Sequence, residues 1–507
     1  MQGTESQNLE LLDAGALVRH LVDDESVYAF LADHRTEVFP DELFGDLFPS
    51  GRGRPSTPAS VMASAMVLKE LEDLSDREAA DALRTDLKWK VACGLALDDE
   101  GVHYTVFTYW RQRLAKSQSP GRIPDAVRTV VDATGILTGR KRRALDSTLL
   151  DDAVATQDTV TQLVSQIRRV RRLVPQAAAV DVAAHDYDAS GKPVCAWDDP
   201  DAKAALVSGL VNDAIAILET VAGVDLDAAA ADAVGLLALV AGQDVEPGDD
   251  DGTWRIIDGT PKDRVISTVD PEARHMHKSR SAYRDGYKAH IAVEPTTGIV
   301  TASTLTSANV PDGPTGVDLL DGEDPGLEVM ADSAYGSGPV RAALREAEHT
   351  QVIKPIPLAK PKLAGGFTRD DFTVNHTART VTCPAGHTVG IATRGSVRFA
   401  ARCRDCLLRQ RCTTSLHGRS LKISPHDDEL VAARRAWNDD TIVADYRRYR
   451  PMVERSIAWI VANGHRRVRY RGVEANQAQL ALRVAAINLR RLINLGLNRD
   501  GTAWAIT

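Results

Sequence analysis

Three carboxylates stand out by their surroundings. Asp146 lies inside the apolar run Ala144-Leu-Asp-Ser-Thr-Leu-Leu150, which reads as a short buried strand. Aspartate disfavours strand interiors, so its presence there needs a reason. Asp332 closes a second short apolar strand, GLEVMAD, just before the turn Tyr335-Gly-Ser-Gly338. Glu454 is the lone acid in an arginine-crowded stretch at 446–472, YRRYRPMVERSIAWIVANGHRRVRYRG. Met452, Ile457, Trp459, Ile460 and Val461 predict a helical, partly buried setting for it, and Pro451 suits that helix's first turn. Each acid alone has a plain reading. Asp146 could end its strand and cap the next element, and Arg450 with Glu454 could be an i,i+4 ion pair worth about 0.3 kcal/mol. As a set, two strand-borne carboxylates and one on a helix are the oxygen ligands that two-metal phosphoryl transfer needs. Mg²⁺ or Mn²⁺ ions held roughly 3.5–4 Å apart activate the attacking oxygen and stabilise the leaving one. The neighbouring arginines would then grip a nucleic-acid backbone.

The formal net charge of −9 over 507 residues argues against nucleic acid only as an average. From Asp181 to Asp251 there are sixteen acids against two lysines and no arginine. From Arg434 to Arg491 there are thirteen arginines against five acids. Local fields, not totals, govern phosphate binding. The length predicts two to four domains. No signal peptide and no run long enough to span a membrane is read, and six cysteines do not make a disulfide scaffold.

The elements that must position these acids follow in order. Residues 1–140 read as mostly helical: an apolar turn Leu43–Phe48, then helices over Ala59–Leu71, Ser75–Arg84, Leu87–Leu95 and Thr105–Lys116. The second opens on a Ser75/Glu78 capping box. Short helices with basic faces, carrying Arg111 and Arg113, suit a helix-turn-helix-like DNA reader or an ordinary bundle. Residues 151–250 read as an acidic helical insertion with periodic segments at Val160–Leu173 and Ala202–Leu218. Strands are predicted over Trp254–Asp258, Arg264–Val269, the hairpin Gly286–Glu294/Gly298–Leu305, Gly326–Asp332 and Val352–Ile356. Helices follow at Pro339–Glu348, Asp428–Trp437 and Asn476–Ile493, and 496–507 reads as a tail. The catalytic unit is thus drawn as 141–357 plus 426–495, a mixed α/β arrangement. Asp258, also at a strand end, is the closest rival to Asp146. Asp146 is preferred because it precedes the strands that should separate the first two acids. Asp312 reads as a loop cap near the site.

Residues 358–425 break the pattern: Gly-rich, poor in apolar runs, with Cys383-Pro-Ala-Gly-His387, Cys403-Arg-Asp-Cys406 and Cys412. Four thiolates with a CxxC knuckle suit a closed structural Zn²⁺ site, with His387 or His417 as substitutes for one ligand. A segment with so little core would gain stability from such a metal.

These features together resemble DDE-class insertion-sequence transposases, in the long branch that groups with the IS-eleven-eighty-two type. The resemblance runs through SDREAADALRTDLKWKVACGLALDDEGVHYTVFTYWRQRL, RALDSTLLDDAVATQDTVTQL, VISTVDPEARHMHKSRSAYRDGYKAHIAVEPTTGIVTASTLTSANVPDG and VMADSAYGS, then the cysteine segment and 446–472. It implies an RNase H-like catalytic fold with Asp146, Asp332 and Glu454 as the catalytic triad holding two Mg²⁺ or Mn²⁺ ions. It implies DNA partners, both element ends and target, gripped by Arg447, Arg450, Arg455, Arg466, Arg467, Arg469 and Arg471. It also implies a homodimer or larger on DNA, and a bacterial cytoplasmic, nucleoid-associated location. One departure stands out: the family's lysine seven residues after the glutamate is Val461 here, and Tyr446 lies one residue further upstream of Arg450 than is usual.

Overall fold

A computed structural model describes residues 1–5, 12–277, 283–359, 361 and 363–507. Part of the resemblance, residues 278–282, therefore lies outside the described residues.

The N-terminal helices form around Ala59–Glu72, whose residues 59–70 are all buried. The Ser75/Glu78 capping box forms and opens Asp76–Thr85. Thr105–Lys116 is a helix with Phe107, Trp110 and Leu114 inward, as the periodicity predicts. Two further helices, Val27–Val38 and Arg122–Ala133, join this bundle. Its core does not close on itself. It continues into Leu482, Ala486, Leu489 and Leu492 of the long helix Val473–Asn494. The expected tail is instead a hairpin, Leu497–Asp500 with Ala503–Ile506, and Trp504 packs against Phe30 with ring centroids 5.7 Å apart.

The main sheet has six strands. We label them β1 (Arg142–Asp151), β2 (Arg274–His277), β3 (Tyr283–Val293), β4 (Val300–Ser307), β5 (Glu328–Ala331) and β6 (Thr350–Ile353). β3 pairs antiparallel with β1 on one side, and with β4 and β2 on the other. β5 lies parallel to β1, and β6 parallel to β5. The chain is therefore mixed α/β with a mixed sheet, an order consistent with an RNase H-like domain. Alternation along the strands feeds two cores. Ala144, Leu150, Ile291 and Met330 face helices Pro451–Ile460 and Val473–Asn494. Leu145, Val329 and Ala331 face the other layer, with Tyr335, Val340 and Leu344.

Helices Thr159–Leu173, Pro200–Val221 and Ala228–Gln243 share a core of their own within the insertion. Pro200–Val221, 22 residues at mean hydropathy 1.5, is by length and composition long enough to cross a membrane, contrary to the sequence reading. Its Val207, Leu210, Ala214 and Ile217 are buried in that insertion core. The strand predicted at Arg264–Val269 does not form. Glutamines satisfy its backbone instead: Gln162 Nε2 donates to Val265 O at 2.8 Å, and Val265 N donates to Gln243 Oε1 at 3.0 Å. Residues 363–425 form small two- and three-stranded sheets over a core of Phe372, Val381, Val397 and Phe399.

Candidate active site

Asp146 sits mid-strand in the sheet's interior. β1 and β5 pair only from Arg142/Glu328 to Ala144/Met330, and then separate. Asp146 follows that splay on β1. Asp332 follows the last residue of β5, and its Oδ1 accepts from Ala334 N at 2.8 Å in the turn beyond. The opening frees the Ser147 N–H, which donates to Asp146 Oδ1 at 2.8 Å. Asp146 Oδ2 takes Arg450 Nη2 at 2.9 Å. Arg450 is 5 % exposed and precedes Pro451, which starts the helix carrying Glu454. So Arg450 pairs across to the sheet with Asp146, not along the helix with Glu454. Its Nε and Nη1 are buried with no hydrogen-bond partner.

The electrostatics tie the three acids to one neighbourhood. Burial pushes the Asp146 carboxyl above the usual range; Arg450 opposes the rise and the charge of Asp332 adds to it. Burial also raises the Tyr446 phenol, opposed by Arg450 and reinforced by Asp332 and Glu454. Glu454 is exposed in its helix's first turn, where the sequence predicted a partly buried setting. Among the described residues, the one group whose three ligand atoms lie within 4.8 Å of one another is His376, Asp427 and Asp428, beside the cysteine-rich segment. Asp427 there is already ion-paired with Arg369. The three candidate catalytic carboxylates are more widely spaced than that group. Carboxylate oxygens fit a hard divalent cation, and such a cation would relieve the Asp146–Asp332 repulsion.

Asp258 is exposed just past the small strand Trp254–Ile256, which pairs with Val245–Pro247 outside the main sheet. Asp312 begins the helix Asp312–Asp318 and reaches β1: its Oδ1 accepts from Ser147 Oγ at 2.9 Å. Sequence reasoning did not single out Lys288 or His290 beside it. Their signal was two polar residues alternating through the apolar strand GYKAHIAV.

The expected DNA-contacting arginines divide. Arg447, Arg455, Arg471 and Arg113 are exposed, with Arg113 stacked 4.9 Å over Phe48. Others are engaged within the protein. Arg466 Nη1 donates to Leu149 O and Arg467 Nε to Asp152 O, both at 3.1 Å, clipping the 464–472 loop to the end of β1. Arg469 pairs with Asp73 at 2.6 Å, and Arg111 Nη1 with Asp76 at 2.8 Å.

Residues 251–489 match the family described as Transposase DDE domain, and residues 18–113 match Transposase domain (DUF772). The chain belongs to the DDE-class transposases. Asp332 and Glu454 fall inside the first match, whereas Asp146 lies outside both, ahead of the helical insertion. No curated protein and no solved structure matches the chain.

Cys383, Cys403, Cys406 and Cys412 line one cavity of about 10 Å³, with His387 beside them. His417 is exposed and does not line it. The Cys383 turn is closed by Cys383 N donating to His387 O at 2.9 Å and Gly386 N to Cys383 O at 2.8 Å. Burial raises the Cys412 thiol; Arg419 opposes this, and the charges of Cys403, Cys383 and Cys406 add to it. The four cysteines thus line one cavity, but among the described residues no three of their sulfurs lie within 4.8 Å of one another, so the expected Zn²⁺ ligand set is not brought together here.

Proposed function

We propose that this chain is an active transposase of the IS-eleven-eighty-two type branch, with an RNase H-like catalytic unit whose triad is Asp146, Asp332 and Glu454. The supporting observation is the splay between β1 and β5. It sets Asp146 and Asp332 on diverging strands, while the helix bearing Glu454 packs across the same sheet. The three carboxylates would hold two Mg²⁺ or Mn²⁺ ions, which when bound activate the attacking oxygen and stabilise the leaving one. Arg450 pairs with Asp146, and its Nε and Nη1, buried without a partner, would be donors for a phosphate oxygen once the side chain turns outward. Water, then the freed 3′-hydroxyl, would be the successive nucleophiles for end cleavage and strand transfer. Exposed Arg447, Arg455 and Arg471 would hold the DNA backbone, and the N-terminal helices with Arg113 the element's terminal repeats. Two ends must be brought together, so the working form would be a dimer or larger. Cys383, Cys403, Cys406 and Cys412 would hold a structural Zn²⁺.

The test is Mg²⁺-dependent nicking of DNA carrying the element's ends. Asp332→Asn should abolish nicking and leave DNA binding intact; nicking by that variant would overturn the triad. Val461, where the family has lysine, favours a second reading, a silent DNA-binding derivative. End-specific binding without nicking by the wild type would select that reading. Nicking without end preference would select a plain nuclease.

A further inference from the structure

Behind Asp146, on the other face of β1, lies a buried polar cluster that the reading above does not use. Ser147 Oγ donates to Asp312 Oδ1 at 2.9 Å, and Lys288 Nζ stands 2.9 Å from the same oxygen. Lys288 also donates to Val310 O at 2.7 Å. His290 sits opposite Ser147 in the β1–β3 register, its Nδ1 3.8 Å from Asp312 Oδ1 and its Nε2 3.0 Å from Thr306 Oγ1. Lys288 is 3 % exposed and His290 0 %. Burial pushes the His290 imidazole down to about 4; Asp312 opposes that and Lys288 adds to it.

Such a cluster needs a reason beyond stability. A buried ion pair gains little over apolar residues of the same volume, yet losing one partner is costly. This one interrupts an otherwise apolar strand directly beneath the candidate site. It reaches Asp146 through Ser147. The hydroxyl of Ser147 is held by Asp312, and its N–H is the donor to Asp146 Oδ1. With Arg450 on Oδ2, both oxygens of Asp146 are thereby oriented.

We propose that Asp312 is a positioning residue for the first carboxylate. It fixes Asp146 through Ser147, and Lys288 holds the Asp312 carboxylate in place. The inference rests on the proposed triad. It predicts that the affinity of the site for a divalent cation depends on residues that never touch the cation, as outer-shell partners of ligands do.

The test is Mn²⁺ binding to the full chain, followed by electron paramagnetic resonance, beside Mg²⁺-dependent nicking. Asp312→Asn should weaken Mn²⁺ binding about 10–100-fold. Ser147→Ala, which leaves the Lys288–Asp312 pair in place, should weaken it about 5–10-fold with the melting temperature unchanged, and Ser147→Thr should restore it. The double variant should be no weaker than Asp312→Asn alone, because both changes cut one path. Wild-type affinity in Ser147→Ala, or additive losses in the double variant, would overturn the inference while wild-type nicking upheld the triad. A wild-type chain that neither binds Mn²⁺ nor nicks DNA would overturn the triad and this inference with it.

Discussion

In the main sheet, Asp146 and Asp332 are placed by strand pairing, with packed cores on both faces of the strands that carry them. In residues 363–425 the four thiols are placed by turns over a far smaller core, around Phe372, Val381 and Phe399. The first arrangement rests on paired strands between two packed cores. The second rests on turns and short sheets over few buried side chains. Both regions are proposed to hold metal, yet removing metal should do opposite things to them: end the chemistry in one, and loosen the fold in the other.

The largest expected effect tests the sheet side. Glu454→Gln should lower nicking by at least about 10³-fold, given the several kcal/mol that metal coordination lends a phosphoryl-transfer transition state. Its melting curve should match the wild type, since Glu454 is exposed and without an ion pair among the described residues. A large loss of stability would mean that the glutamate is structural. Next comes the cysteine side. Cys406→Ser should remove one equivalent of bound zinc and open residues 363–425 to limited proteolysis, while the sheet stays protected from hydrogen exchange. A variant as protease-resistant as the wild type would erase the contrast.

A third change sharpens the electrostatics of the sheet. Asp146 must be ionised to hold a cation, and its carboxyl lies above the usual range, so Mn²⁺ binding should fall as pH drops through that raised value. Arg450 opposes the rise. Arg450→Met should therefore move the acid limb of Mn²⁺ binding to higher pH, by about one unit. A shift to lower pH would contradict the ion pair. The smallest effect lies at the end of β1. Burial holds the Asp152 carboxyl up at about 6, with Asp285 and Asp270 adding to the shift and a bond from Val154 N opposing it. The folded state thus binds the proton more tightly than the unfolded state, and stability is lost as pH rises from about 4 to about 6. Asp152→Asn should raise the melting temperature above pH 6 by about 1–3 °C and leave it unchanged below about pH 4. A gain at low pH alone would reverse the sign.

Where local pattern decided the structure, the sequence was legible. The capping box at Ser75, the periodicity of Thr105–Lys116 and the alternation of β1 and β3 all rest on contacts within a few residues. The same reasoning failed where distant side chains intervened. Val265 looked like strand, but glutamines from two helices of the insertion took its backbone groups. The last residues looked like a tail because nothing in 496–507 announces that Trp504 has Phe30 to pack on. Arginine composition in 446–472 could not say which side chains stay free, because Arg466, Arg467 and Arg469 meet partners on β1 and in the N-terminal bundle, far away in sequence. The candidate triad was visible as three acids out of place. The Asp312 cluster that bears on one of them was not, because it exists only across strands.

The most direct test of the central claim is anomalous diffraction from crystals of the full chain grown with Mn²⁺ and DNA carrying the element's end. Peaks shared by Asp146, Asp332 and Glu454, with Arg450 turned toward a phosphate, are the predicted result. Mn²⁺ found only elsewhere, for instance between His376 and Asp428, with Asp146 still locked to Arg450, would contradict it.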